Sequence, residues 1–275
     1  MNKKKKRGIL RAVRLHARKL YRQNRILFFT YFILRFLVIG IMVAQLLNGN
    51  YFDVLVCLLT LVLFMIPSVF EHRIKIDVPD TLEIIILLFI FAAEILGELG
   101  EYYVNVPYWD TALHTVNGFL CGAIGFSMID ILNRTDKFAF SMSPVFVALV
   151  AFCFSMTIGV VWEFFEFAMD FFFHTDMQKD TFINVISSVA LNPTGHNIPV
   201  LVEIESVVVN GEAWPAYLDI GLIDTMTDLL VNFVGALSFS IIGYFYVKQR
   251  GKGNLIRRLV PTRIVGKDDN GENEE

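Results

Sequence analysis

Six apolar runs dominate this chain of 275 residues. Each is near or above the roughly 17–25 residues that a helix needs to cross a bilayer. They read as spans at 27–47, 54–70, 82–98, 111–132, 143–172 and 221–247. Hydrophobic residues make up 55% of the chain and charged ones only 19%, a balance that sets it apart from a soluble domain of this size. The expected fold is all-α: a polytopic transmembrane helical bundle of about six spans.

Charge patterning orients the bundle. Residues 1–26 form a basic arm, with Lys3, Lys4, Lys5, Lys6 and Arg7 at its start. Alternate connections are basic as well: Arg73 and Lys75, then Arg134 and Lys137, then a tail at 248–275 with Lys248, Arg250, Arg257 and Arg258. The intervening connections have few or no cations; the long fifth one has only Lys179. The positive-inside rule then places both termini in the cytoplasm of a multi-pass cell-membrane protein. The arm reads as a topology determinant beside anionic membrane lipid, not as a cleavable signal. A basic run alone does not make a nucleic-acid site, and no nucleic-acid partner is expected. Cys57, Cys121 and Cys153 sit inside apolar runs without thiolate-metal spacing and read as packing residues.

Within the membrane domain at 27–247, residues 174–219 form an expected extracytoplasmic cap. NPTGHN reads as a turn, and IPVLVEIESVVV as a strand or hairpin edge that NGEAW breaks. The polar end of the tail, KDDNGENEE, reads as disordered.

Nearly all the acidic residues inside the spans gather at one end, the outer one, Asp130 near the inner end of the fourth span being the main exception. Glu94 and Glu98 close the third span, and Asp110 and His114 open the fourth, followed by Asn117 and Gly118. Glu163, Glu166 and Asp170 come late in the fifth, while Asp224, Asp228 and Asn232 open the sixth. Offsets of three and four put each set on one helix face. Charge at membrane depth is costly, so groups held at a common level imply one shared polar site open to the outside. Arg35, midway along the first span, is expected to pair within the bundle or to snorkel to an interface.

One imidazole among many carboxylate and amide oxygens suits a divalent metal ion as cofactor. Mixed nitrogen and oxygen ligands favour zinc, manganese or iron; oxygens alone favour magnesium or calcium. His114, Asp110, Asp224 and Asp228 are the candidate ligands. Glu163 and Glu166 are the candidate catalytic acid/base groups, and Asn232, Asn117, Glu94 and Glu98 the candidate substrate-positioning groups. The chain has no HExxH, GxSxG or Walker A motif, so the ligand set rests on convergence. Its most concrete enzyme form is metal-assisted hydrolysis or group transfer on an envelope lipid or lipid-linked precursor. An ion-coupled transporter and a non-catalytic envelope factor are the alternatives. Metal identity, substrate and oligomeric state stay open.

Glu94–Leu96–Gly97–Glu98, Tyr108–Trp109–Asp110 with His114 and Gly118, Trp162–Glu163 with Glu166, and Asp224–Thr225 with Asp228, Asn232 and Gly235 together carry a resemblance. Over roughly residues 80–245 the chain resembles bacterial inner-membrane proteins of the YjdF type. More distantly, the order D-x-x-x-H, E-x-x-E, D-x-x-x-N-x-x-G is similar to that of VanZ-like proteins associated with glycopeptide resistance. There the second acidic position of the middle motif is often Gln, whereas this chain has Glu166. The resemblance implies this residue set and no particular activity.

Overall fold

The computed structural model describes residues 24–69, 76–133, 142–249, 258–260 and 262–263. The arm up to residue 23, the loop cations Arg73, Lys75, Arg134 and Lys137, and most of the tail lie outside the described residues. The chain is polytopic and mainly helical. In order come α1 (Arg25–Asn48), α2 (Tyr51–Leu63), the short α3 (Ile66–Val69), strand β1 (Ile76–Asp77) and α4 (Asp80–Ile90). A π-helix (Phe91–Leu99) continues α4; α5 (Tyr102–Asn105), α6 (Trp109–Asn133) and α7 (Pro144–Phe173) follow. After six short strands, β2 to β7, between residues 181 and 219 come α8 (Leu222–Lys248) and strand β8 (Thr262–Arg263).

Among the described residues, five helical stretches are long and apolar enough to cross a membrane: α1, Tyr51–Val69, Trp109–Asp130 of α6, α7 and α8. The third apolar run differs from the others. It is 11 residues of α-helix followed by 9 of π-helix, not one regular span. The wider i→i+5 turns rotate side chains off the 3.6-residue period, and such turns recur at functional sites. Gly97 lies in this segment where a side chain would strike the Tyr103 ring. The expected helical membrane bundle is what the structure shows, with a minor addition. Pairing between residues 181 and 219, and between β1 and β8, adds a small β portion.

Two compact units make up the chain: residues 1–156 with 232–275, and residues 157–231. In the first, α1 starts at Asn24, whose side-chain oxygen accepts from the Ile26 and Leu27 amides, a helix N-cap. Leu27, Leu34, Val38, Cys57, Phe64 and Leu87 form one apolar core. Arg35 stays inside this unit. Its guanidinium lies 4.6 Å from the Tyr31 ring centre and 3.5 Å from the Phe64 carbonyl. The Tyr31 hydroxyl in turn donates to Glu83 at 2.5 Å.

A second core joins α6, the start of α7 and the deeper part of α8, around Ala123, Phe126, Val147, Ala151 and Phe239. Glycines set its closest contacts. A methyl group on Gly118 would strike the Asn232 backbone, and one on Gly235 would strike the Thr115 carbonyl. Ser155 donates to the Gly118 carbonyl at 2.7 Å. Small residues permit this backbone approach, as the glycine-rich sequence of the fourth span leads one to expect.

The second unit holds the end of α7, the strands and the start of α8. Its strands form three antiparallel pairs: Thr181–Ile183 with Tyr217–Asp219, Val185–Ser188 with Val200–Glu203, and Val207–Val209 with Glu212–Trp214. Asn210 and Gly211 join the last pair with φ of 52° and 90°. Both are left-handed, which is why Asn-Gly suits this two-residue turn.

Candidate acidic site

Periodicity on α7 and α8 builds the site within the second unit. Glu163 and Glu166 lie on the narrow buried stripe of α7, at 4% and 7% exposure. Around them Phe164, Phe165 and Phe167 are exposed, as suits a lipid-facing surface. On α8, Asp228 is 2% exposed. One carboxylate oxygen each from Glu163, Glu166 and Asp228 lies within 4.8 Å of the others. Three buried carboxylates at this spacing repel one another unless protons or a cation lie among them. The unit has one Lys and no Arg. That Lys179 ammonium bonds the Asp176 carbonyl and lies 3.5 Å from its carboxylate.

A second set of carboxylates in the same unit behaves differently. Asp170 accepts from the Met177 amide, the Gln178 amide and the Thr175 hydroxyl, each at 2.7 Å. It therefore closes the turn that leaves α7. Asp219 accepts from the Ile223 amide at 2.8 Å and starts α8. Asp224 accepts from the Lys179 amide at 2.7 Å. Beside it the Gln178 side chain donates to Thr225 at 2.5 Å. Gly221, at φ +94°, leaves room for that glutamine. Asp224 also keeps an oxygen within 4.8 Å of Asp228, so it links the rim to the buried group. In the loop itself, partial burial and then the nearby Asp176, Asp219 and Asp170 push the Asp180 carboxyl above its ordinary 3.8.

In the first unit, the Asp110 carboxylate lies 3.6 Å from His114 Nε2 across one turn of α6. His114 is buried at 6% exposure. One turn further, the Asn117 amide donates to the Asn232 side chain at 3.5 Å, and Asn232 Nδ2 lies 3.6 Å from Met156 Sδ. Asn232 is 1% exposed and pressed against Gly118. Glu94 and Glu98 sit on the π-helix, half-buried and exposed respectively.

Sequence reasoning missed two participants. Trp162 donates its indole N–H to Glu166 at 2.8 Å; the WEFFEF string shows an aromatic flank, and the i,i+4 offset is the signal that could have found the pair. Gln178 joins the cap to α8 through Thr225, a pairing across 47 residues that no local pattern announces.

The chain belongs to a family described as predicted membrane protein (DUF2238), whose model matches residues 28–249. It is also similar to an uncharacterized protein of Thermotoga maritima, at 27% identity over 104 residues. That match covers 38% of this chain and 52% of the relative, so the chain spans about half the length of the curated relative it matches. No solved structure matches.

Proposed function

We propose that this integral membrane protein binds one divalent cation through Glu163, Glu166 and Asp228. The observation that carries the reading is the trio of buried carboxylates within 4.8 Å of one another. Repulsion among them would be relieved by a cation. Within the first unit, Asp110 orients the His114 imidazole across one turn of α6. Asp224 is a further ligand candidate that also holds the Lys179 amide.

Such a site fits metal-assisted hydrolysis or transfer on an envelope lipid or lipid-linked precursor. A bound divalent cation supplies electrophilic stabilisation of charge on a phosphoryl or carbonyl oxygen. Glu163 or Glu166 accepts the proton of the attacking water as general base. Within the first unit, the paired Asn117 and Asn232 amides, with Glu94 and Glu98, are the candidate substrate-positioning groups. The resemblance to YjdF-type inner-membrane proteins fits this envelope setting. The test is reconstituted protein incubated with extracted envelope lipids and a divalent cation, with product masses and leaflet distribution both read. New masses that disappear in Glu163→Gln with Glu166→Gln support catalysis. Altered distribution at unchanged masses would replace catalysis with transport, and neither change would leave a binding role.

A further inference from the structure

Trp162 stands where an apolar helix surface meets a buried carboxylate. Its side chain is on α7, a helix long and apolar enough to cross the membrane, and the residue is 42% exposed. One turn on, Glu166 is 7% exposed and takes the Trp162 indole N–H at 2.8 Å. The same indole lies 5.3 Å from the Phe165 ring, tilted by 36°. Phe164, Phe165 and Phe167 extend the exposed aromatic surface at 68%, 47% and 55%. An indole with one wet or polar edge and one apolar face is suited to this boundary.

We propose that Trp162 is a positioning residue with two contacts: its N–H fixes the Glu166 carboxylate, and its ring packs against a membrane-lipid acyl chain. The substrate lipid then approaches along the aromatic surface of α7, with its head at the carboxylates and its chain against Trp162. The lipid is the chosen occupant because this surface lies on a membrane-spanning helix and is almost wholly apolar. The proposal rests on the cation-site reading for its functional meaning, but its two contacts are measurable without a metal.

A donor to a metal-binding carboxylate fixes the ligand's orientation, and loss of such a supporting group weakens metal binding by about 10–100-fold. Trp162→Phe keeps an aromatic ring and removes only the donor and the second ring. The same change in a purely structural aromatic would leave cation affinity alone.

Three tryptophans are present, Trp109, Trp162 and Trp214, so Trp109→Phe with Trp214→Phe leaves Trp162 as the sole indole. The Trp109 Nε1 is buried with no hydrogen-bond partner among the described residues, so phenylalanine strands no acceptor there. Trp214 packs edge-on to Phe182 at 6.3 Å, a contact a phenyl ring can keep. The full chain carrying these two changes is placed in phosphatidylcholine vesicles with and without brominated acyl chains. Trp162 emission should fall by about half in brominated vesicles, as expected for a ring at the lipid boundary. It should also shift when Glu166→Gln is added, because a negative charge beside the indole is removed. In the otherwise native chain, Trp162→Phe should weaken Mn2+ binding by about tenfold. Unquenched emission in brominated lipid overturns the lipid contact. Emission unmoved by Glu166→Gln, or Mn2+ affinity unmoved by Trp162→Phe, overturns the positioning role. A native chain that binds no Mn2+ refutes the cation site instead, and the two fluorescence readings still decide what Trp162 touches.

Discussion

Two carboxylate-bearing regions of residues 157–231 look alike in sequence and differ in structure. At the rim, Asp170, Asp219 and Asp224 face backbone amides at 2.7–2.8 Å. Deeper, Glu163, Glu166 and Asp228 face one another within 4.8 Å and are nearly buried. The same carboxylate chemistry builds a loop in one place and a concentrated charge in the other. Carboxylates that accept amide hydrogen bonds stabilise the ionised form locally. Carboxylates held against one another destabilise the fold unless a proton or cation compensates. The rim is therefore a structural device, and the deeper group is where chemistry is expected.

Neutralising the deeper group should have the largest effect, and with opposite signs in two assays. Glu163→Gln should weaken divalent-cation binding by about a hundredfold, at least as much as the loss of a supporting group. In chelator it should raise the melting temperature by about 2–4 °C for each kcal/mol of repulsion relieved. A rise in stability together with unchanged cation affinity would make the group a strained structural cluster and erase the contrast with the rim.

Asp170→Asn should show the reverse pattern. The three donors from Thr175, Met177 and Gln178 lose a charged acceptor, at a cost of about 2 kcal/mol. Cation affinity should stay within about threefold, because Asp170 touches the loop and is outside the close carboxylate trio. Thermal unfolding and Mn2+ titration of the same preparation check both. Asp224→Asn sharpens the border between the regions. Its amide oxygen still accepts from Lys179, so stability should change by less than about 1 kcal/mol, while cation affinity should fall less than in Asp228→Asn.

The smallest effect belongs to Asp180 in the loop. Its carboxyl is raised above the ordinary 3.8 by partial burial and its acidic neighbours. A raised folded-state value means that the contribution is fully present below the unfolded value and is lost as pH rises through the folded one. Asp180→Asn should therefore leave stability unchanged well below pH 3.8 and raise it slightly at pH 7. Equal stability of the two proteins at both pH values would remove the proposed crowding of acids in this loop.

Much of the architecture was legible because apolar length is a coarse signal that survives any local irregularity. The runs around α1, α6, α7 and α8 were read to within a few residues of their helices. The π-helix at Phe91–Leu99 was not legible: one extra residue per turn leaves composition and hydropathy unchanged. In the cap, β-branched IPVLVEIESVVV did become strands at 200–203 and 207–209. Their partners, Val185–Ser188 and Glu212–Trp214, are too short to announce themselves. Spacing on α7 correctly put Glu163 and Glu166 on one buried stripe. The same spacing could not separate them from Asp170, because the partners of Asp170 are backbone amides that every sequence possesses. At Gly235 the Thr115 carbonyl stands where a side chain would be.

The cation site is tested most directly by Mn2+ binding to the detergent-purified full chain, measured by equilibrium titration beside Asp228→Asn. The account expects one Mn2+ per chain in the native protein and about a hundredfold weaker binding in Asp228→Asn with helix content retained. A native chain without stoichiometric Mn2+, or an Asp228→Asn chain that binds it equally well, would contradict the account.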